Sequence, residues 1–249
     1  MAGHSHSSNI AARKGAVDKQ RSKNFNKLSR QIMSAVRQGG QDIESNLKLK
    51  YAVEKARAAN VPKDNIERVI KRAAGEAGGD MEEVVYEGYA PGGIALMVAC
   101  LTDNRHRTSP DLKHVFDKFG GNLGTPGSVG FLFQQRSIFV CDAQGEDEDH
   151  WVELGLECGA QDVQLEGDVA TLLALPTEYL GLKAQLEARG VKLHSAEIGY
   201  VPLNSVAVAD KETASKVLRI VAALDDLDDV QSVYANYDIP GEWIEELST

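Results

Sequence analysis

From Lys23 onward, apolar residues recur at helical spacing. Phe25, Leu28, Ile32 and Val36 form the inner stripe of an amphipathic helix. At about 100° per residue, Lys23, Lys27, Arg30 and Arg37 collect on the opposite face, and Gly39-Gly40 closes the helix. A second helix is expected from Asn46 to Ala59, burying Leu47, Leu49, Tyr51, Ala52, Val53 and Ala56 in part. Pro62 suits the first turn of a third helix, where its missing N–H costs nothing, with Ile66, Val69, Ile70 and Ala73 facing inward. Ahead of these helices, residues 1 to 22 are small, polar and basic, and they read as a flexible arm. Behind them, Gly75 to Asp80 reads as a linker.

The pattern then turns to strands. Val84 to Tyr89 and Ile94 to Leu101 flank Ala90-Pro91-Gly92-Gly93, where Pro presets one dihedral and Gly supplies the positive φ of a type II turn. Leu112, Val115, Phe116 and Phe119 mark a helix opening at Thr108-Ser109-Pro110-Asp111. Gly-rich residues 120 to 130 lead into a strand at Phe131-Leu132-Phe133. A compact series follows: strand 137–141, helix 148–159, strands 162–166 and 169–175, helix 177–189, strand 191–200. This β-α-β-β-α-β order is that of a ferredoxin-like sandwich. The elements before it, joined to Val206–Ala209, a helix near 211–224 and a strand from Ser232 to Tyr237, would make a second sandwich. The expected fold is therefore α+β: a helical N-terminal domain followed by two α+β ferredoxin-like domains, the second inserted into the first. Its expected bounds are 1–79 for the basic arm and helical domain, 80–134 plus 204–249 for the discontinuous domain, and 135–203 for the inserted one.

Charge changes the picture most. The first 79 residues hold sixteen Lys/Arg against seven Asp/Glu, a net of +9, on a chain whose total is −10, so the remainder carries −19. A concentrated basic segment on an acidic protein lies where a polyanion can meet it, and the acidic remainder confines that contact to one end. Arg13, Lys14, Lys19, Arg21, Lys23, Lys27, Arg30 and Arg37 face one acid, Asp18, over the first 37 residues. Solvated helix faces usually mix both signs, so these eight are read as partners of nucleic-acid phosphates. Zinc-finger spacing, a homeodomain asparagine and RNP aromatics are missing, which favours phosphate and shape contact over base readout.

Asp103-Asn104-Arg105-His106-Arg107-Thr108-Ser109 joins a strand end to a helix start, where free N–H groups favour an anion. Arg105, Arg107 and Ser109 form a candidate second anion site, against the alternative that Thr108 or Ser109 caps the helix and the arginines pair with local acids. The glycines at 120, 121, 124, 127 and 130 lack the Lys-Ser/Thr ending of a P-loop and read as tight turns. His4 and His6 on the arm make a poor metal site and His106, His114, His150 and His194 have no ligand-spaced partners, so no metal, cofactor or small-molecule substrate is expected, and no nucleophile–base pair argues for an enzyme. The acidic runs 146–149 and 225–229 read as solvated acids or as contacts for a basic protein. Cys100, Cys141 and Cys158, widely spaced in or beside apolar runs, read as buried reduced thiols. With no apolar run near the roughly 20 residues of a membrane span and no secretory signal, a cytoplasmic protein without membrane contact is expected.

Several segments together resemble the YebC/PmpR family, which includes the mitochondrial translational activator of cytochrome c oxidase I. They are Met1 to Ser5, Asn9-Ile10, Arg13-Lys14, Tyr86-Glu87-Gly88-Tyr89 with Pro91-Gly92-Gly93, Cys100 to Thr108, Gly120 to Val129, Asp226 to Gln231 and Val233 to Asn236. The resemblance runs through nearly the whole chain in order. It implies three domains and a role as a DNA-binding transcriptional regulator. Alternatively it implies a ribosome-associated translation factor bound to ribosomal RNA. A metal-dependent nucleic-acid enzyme is the remaining, disfavoured class. Ser7, His6 and Ala12 stand where the family commonly has Trp, Lys and His, and Ala90 where it has Gly.

Overall fold

The computed structural model describes residues 21–75 and 81–247. Among these residues three helices come first: α1 (Arg21–Gly39), α2 (Leu47–Ala58) and α3 (Lys63–Gly75). Asn46 fixes how α1 and α2 meet. Its buried side chain accepts from the Leu49 N–H at 3.0 Å and donates to the carbonyls of Ala35 and Gly40, each at 2.8 Å. One amide thus caps α2 and ties it to the end of α1. Leu28, Ile32 and Val36 meet Leu49, Val53, Ile66 and Ile70 in a single cluster. Two residues expected in this core lie elsewhere. Leu47, first in α2, is 69% exposed, and Tyr51 packs edge-on against Tyr179 with ring centroids 4.9 Å apart.

The rest of the fold is two four-stranded antiparallel sheets and one short parallel pair of strands. The chain runs through β1 (Glu82–Ala90), β2 (Ile94–Thr102), α4 (Arg105–Lys118) and β3 (Asn122–Leu123). Then come β4 (Phe133–Asp142), α5 (Glu148–Cys158), β5 (Asp162–Glu166), β6 (Val169–Ala174), α6 (Tyr179–Ala188) and β7 (Leu193–Pro202). Last are β8 (Val206–Ala207), α7 (Lys211–Asp225), β9 (Val230–Ala235), β10 (Tyr237–Asp238) and α8 (Gly241–Leu247). One sheet is ordered β5-β6-β4-β7, the ferredoxin-like arrangement, and the other is ordered β3-β1-β2-β9. The second order repeats the first with β3, β1, β2 and β9 in the places of β5, β6, β4 and β7. Only the connection differs, because β1 comes ahead of β2 in a hairpin instead of following β3. At that hairpin Gly92 takes φ 80° and ψ 9°, the left-handed position expected of Gly after Pro.

Each sheet carries both of its helices on one face. Leu96, Val98 and Cys100 pack under Leu112 and Phe116 of α4 and Val217 and Ile220 of α7. Phe139, Cys141 and Leu172 pack under Trp151 of α5 and Leu182 and Leu186 of α6. The bare faces meet around Met97, Val129, Phe133 and Tyr234. The separate strand expected at 131–133 does not form: residues 130–132 make a 3₁₀ turn, and Phe133 opens β4, which pairs with β7 from Phe133↔Pro202 onward. Gln134, Gln135 and Arg136, which look like a break in sequence, are the exposed and half-buried stretch of one continuous strand. The three cysteines are buried free thiols, and burial pushes Cys100 and Cys141 each up to about 12. Among the described residues no helix is long and apolar enough to cross a membrane.

Candidate nucleic-acid interface

The basic face of α1 does not look outward along its whole length. Lys27 Nζ donates to the Asp225 carbonyl at 2.7 Å and to Asp225 Oδ1 at 3.1 Å. One turn on, Arg30 donates to the Asp228 carbonyl at 3.0 Å and to Asp229 Oδ1 at 2.7 Å. Gln31 completes the strip with a 3.0 Å bond to the Gln231 side chain. The side chains of Lys27 and Arg30 are only 14% and 19% exposed. Both were expected among the phosphate partners, and both pair within the chain. Cations this close to acids of a −19 segment gain most from pairing within the chain. Arg37 lies half-buried in the last turn of α1. Arg21 and Lys23 belong to its first turn through their backbone alone, and Arg13, Lys14 and Lys19 lie outside the described residues.

The Asp225–Asp229 run, expected as solvated acid, is the receiving half of this contact. Asp229 is its buried centre. Its Oδ2 accepts from the Thr108 hydroxyl at 2.6 Å and the Thr102 hydroxyl at 3.1 Å, and Arg107 reaches it at 3.2 Å. Burial pushes the Asp229 carboxyl up, but the bonds from Thr108, Arg30 and Arg107 outweigh that and hold it below its ordinary value.

At the expected second anion site, both arginines are paired with acids of the chain. Asn104 caps α4 by accepting from the N–H groups of His106 and Arg107, so the helix begins at Arg105 instead of near Thr108. Arg105 pairs with Glu82, and Arg107 pairs with Asp103 at 2.8 Å as well as with Asp229. Ser109 lies within α4, half-buried. The arginines here neutralise local acids, and Arg105 and Ser109 both line an open cleft beside β1.

A second contact holds the helical unit from its other side. The Tyr51 hydroxyl accepts from the Ile198 N–H of β7 at 2.9 Å, Glu54 pairs with Lys183 at 2.8 Å, and Lys55 lies 3.8 Å from Glu197.

Two family models divide the chain as the fold does. One, described as the TACO1/YebC protein N-terminal domain, matches residues 5–76; the other, the TACO1/YebC second and third domain, matches residues 81–237. The chain belongs to the TACO1/YebC family. A relative from Aquifex aeolicus is 46% identical over 248 residues, spanning 99% of this chain and all of its own length. Another from Halothermothrix orenii is 47% identical over 251 residues, spanning 100% and 99%. Both carry the name "Probable transcriptional regulatory protein". A conserved hypothetical protein of Aquifex aeolicus, solved by crystallography, superposes with a TM-score of 0.81 at 47% identity, covering 90% of this chain and 93% of its own.

In this TACO1/YebC chain the motif Tyr86-Glu87-Gly88-Tyr89 has a structural task. Glu87 accepts from the N–H groups of Gly127, Val129 and Gly130, each at 2.7 Å, and Tyr89 donates to the Ser128 carbonyl at 2.9 Å. The Gly-rich loop is therefore closed around an internal carboxylate, as a turn and not a phosphate cradle. Gly88 is required because a Cβ there would lie 2.6 Å from the Asn122 carbonyl. The signal that would have revealed the α1 contact was present in sequence: a +9 segment and a −19 segment on one chain attract each other before they attract anything else.

Proposed function

We propose that the chain is a non-catalytic regulator of gene expression that binds nucleic acid through its basic N-terminal segment. One observation carries this. With Lys27 and Arg30 committed to Asp225 and Asp229, the first 23 residues still hold Arg13, Lys14, Lys19, Arg21 and Lys23 against the single acid Asp18. The contact narrows to the chain ahead of Lys27, and the names of the relatives favour DNA as its target. Reversing Arg13, Lys14, Arg21 and Lys23 to Glu is expected to abolish binding of duplex DNA. It should also remove about 3 from the slope of log K against log salt. Reversing Lys27 and Arg30 should leave that slope nearly unchanged. Parental affinity and slope in the fourfold variant overturn the reading.

Ribosomal RNA is a second target, favoured by the covering of α1. A helix whose cations are turned onto its own protein cannot enter a major groove as a recognition helix, whereas an arm tracking phosphates serves RNA equally well. Sedimentation of the chain with ribosomes at low salt, lost at high salt and in the fourfold variant, assigns it to translation. Absence from ribosomes at low salt assigns it to DNA.

A further inference from the structure

The first sheet is open along part of one edge. β3 pairs with β1 only at Gly88 and Tyr89, and the Gly124 N–H donates to the Glu87 carbonyl at 2.8 Å. Backbone polar groups alternate sides along a strand, so Glu87 sets the parity. The N–H and C=O of Val85 and Glu83 point the same way, past the end of β3, while those of Val84 and Tyr86 are spent on β2. Among the described residues no strand covers this edge.

The edge faces a cleft of about 460 Å³, bounded by the first turns of α4 and by the loop at Gly124 and Pro126. Pro110, inside α4, removes the N–H that would close on the His106 carbonyl four residues back. His106 and Pro110 both line the cleft. A residue whose carbonyl lacks its helical partner therefore lines the same cleft as a strand edge that no strand covers among the described residues. Such groups call for hydrogen bonds.

Charge selects the occupant. Arg105 is spent on Glu82 and Arg107 on Asp103 and Asp229. Among the described residues Glu83 pairs with the exposed Lys48 at 3.3 Å, both side chains being more than half exposed, and the surrounding chain from residue 80 carries −19. We propose that this edge binds an extended basic peptide segment of a partner protein, which adds to β1 as a further strand. Unpaired N–H and C=O groups recurring every second residue, about 7 Å apart, match a peptide backbone. Nucleic acid is repelled by the acidic surround, and a second copy of this chain would bring the glutamates of two β1 strands together. The inference is independent of what the N-terminal segment binds.

The test uses the full chain with two capped, fluorescent heptapeptides, one alternating Lys and Val and the other Glu and Val. The Lys–Val peptide is expected to bind and to slow amide exchange at Val85 by roughly tenfold, and the Glu–Val peptide to do neither. Val85→Pro deletes an outward N–H that β2 does not use, so it should abolish binding and leave the melting temperature near that of the parent. Ser109→Trp, which fills the cleft from α4, should do the same if the proline variant fails to fold. Failure of the Lys–Val peptide to protect Val85, equal binding by the acidic peptide, or undiminished binding in both variants overturns the proposal. So does protection of Val85 in the free chain that vanishes on deleting residues 1–20, which would make the chain's own N-terminus the occupant. A concentration-dependent dimer abolished by Val85→Pro would overturn it in favour of a second copy.

Discussion

Asp229 joins three stretches of chain that are distant in sequence. Its side chain is 9% exposed, and it takes Arg30 on one oxygen and Thr108 and Thr102 on the other. Removing the charge from such a site leaves the partly covered Arg30 guanidinium without its counter-ion and unpairs the acceptor of two threonine hydroxyls, so Asp229→Asn is expected to cost about 2 kcal/mol in urea unfolding. The pH dependence has a fixed sign. A carboxyl held below its ordinary value, about 3.9, contributes fully above that value and loses its contribution as pH falls through the depressed one. The parent should therefore lose stability below about pH 4, and Asp229→Asn should flatten that acid limb. Glu87 follows the same rule: burial pushes it up, but three backbone N–H groups hold it down. Glu87→Gln puts an amide donor against those donors. Amide exchange at Gly127, Val129 and Gly130 should quicken there, with the helical unit unchanged.

Elements were legible where one face is buried and the period is clean. The stripe Leu28, Ile32, Val36 and the runs forming β2 and β6 sit where their spacing puts them. What escaped was set by partners far along the chain. Gln134 to Arg136 look polar enough to end a strand, yet they continue β4 because β7 supplies the ladder. The start of α4 was misplaced because Asn104, not a hydroxyl residue, provides the cap. The contact between the sheets was invisible, since Gly199 gives no local sign of its task. A Cβ there would lie 2.8 Å from the Tyr234 ring, which itself stacks edge-on against Tyr200 at 5.5 Å. Gly199→Ala is expected to cost about 1–3 kcal/mol through overpacking. Pairing it with Tyr234→Leu should recover part of that loss, so a double-mutant cycle in urea should give a favourable coupling.

At the scale of the molecule, the basic face of α1 read from the charge imbalance does not look wholly outward. The +9 segment spends part of its charge fastening itself to the −19 segment, and composition alone cannot divide cations between inner and outer partners. The fastening has two points: Lys27 and Arg30 on Asp225 and Asp229, and α2 on the β7 edge through Tyr51 and on α6 through Glu54. Breaking one leaves the helical unit held by the other at high local concentration, so undocking should be strongly non-additive. Lys27→Glu with Arg30→Glu, or Tyr51→Ala with Glu54→Ala, should each leave the radius of gyration in solution scattering close to that of the parent. All four changes together should raise it clearly while the sheets retain their cooperative unfolding. An equal rise in either pair alone would mean that a single contact holds the unit, and no rise in the fourfold variant would move the fastening to the apolar surface between them.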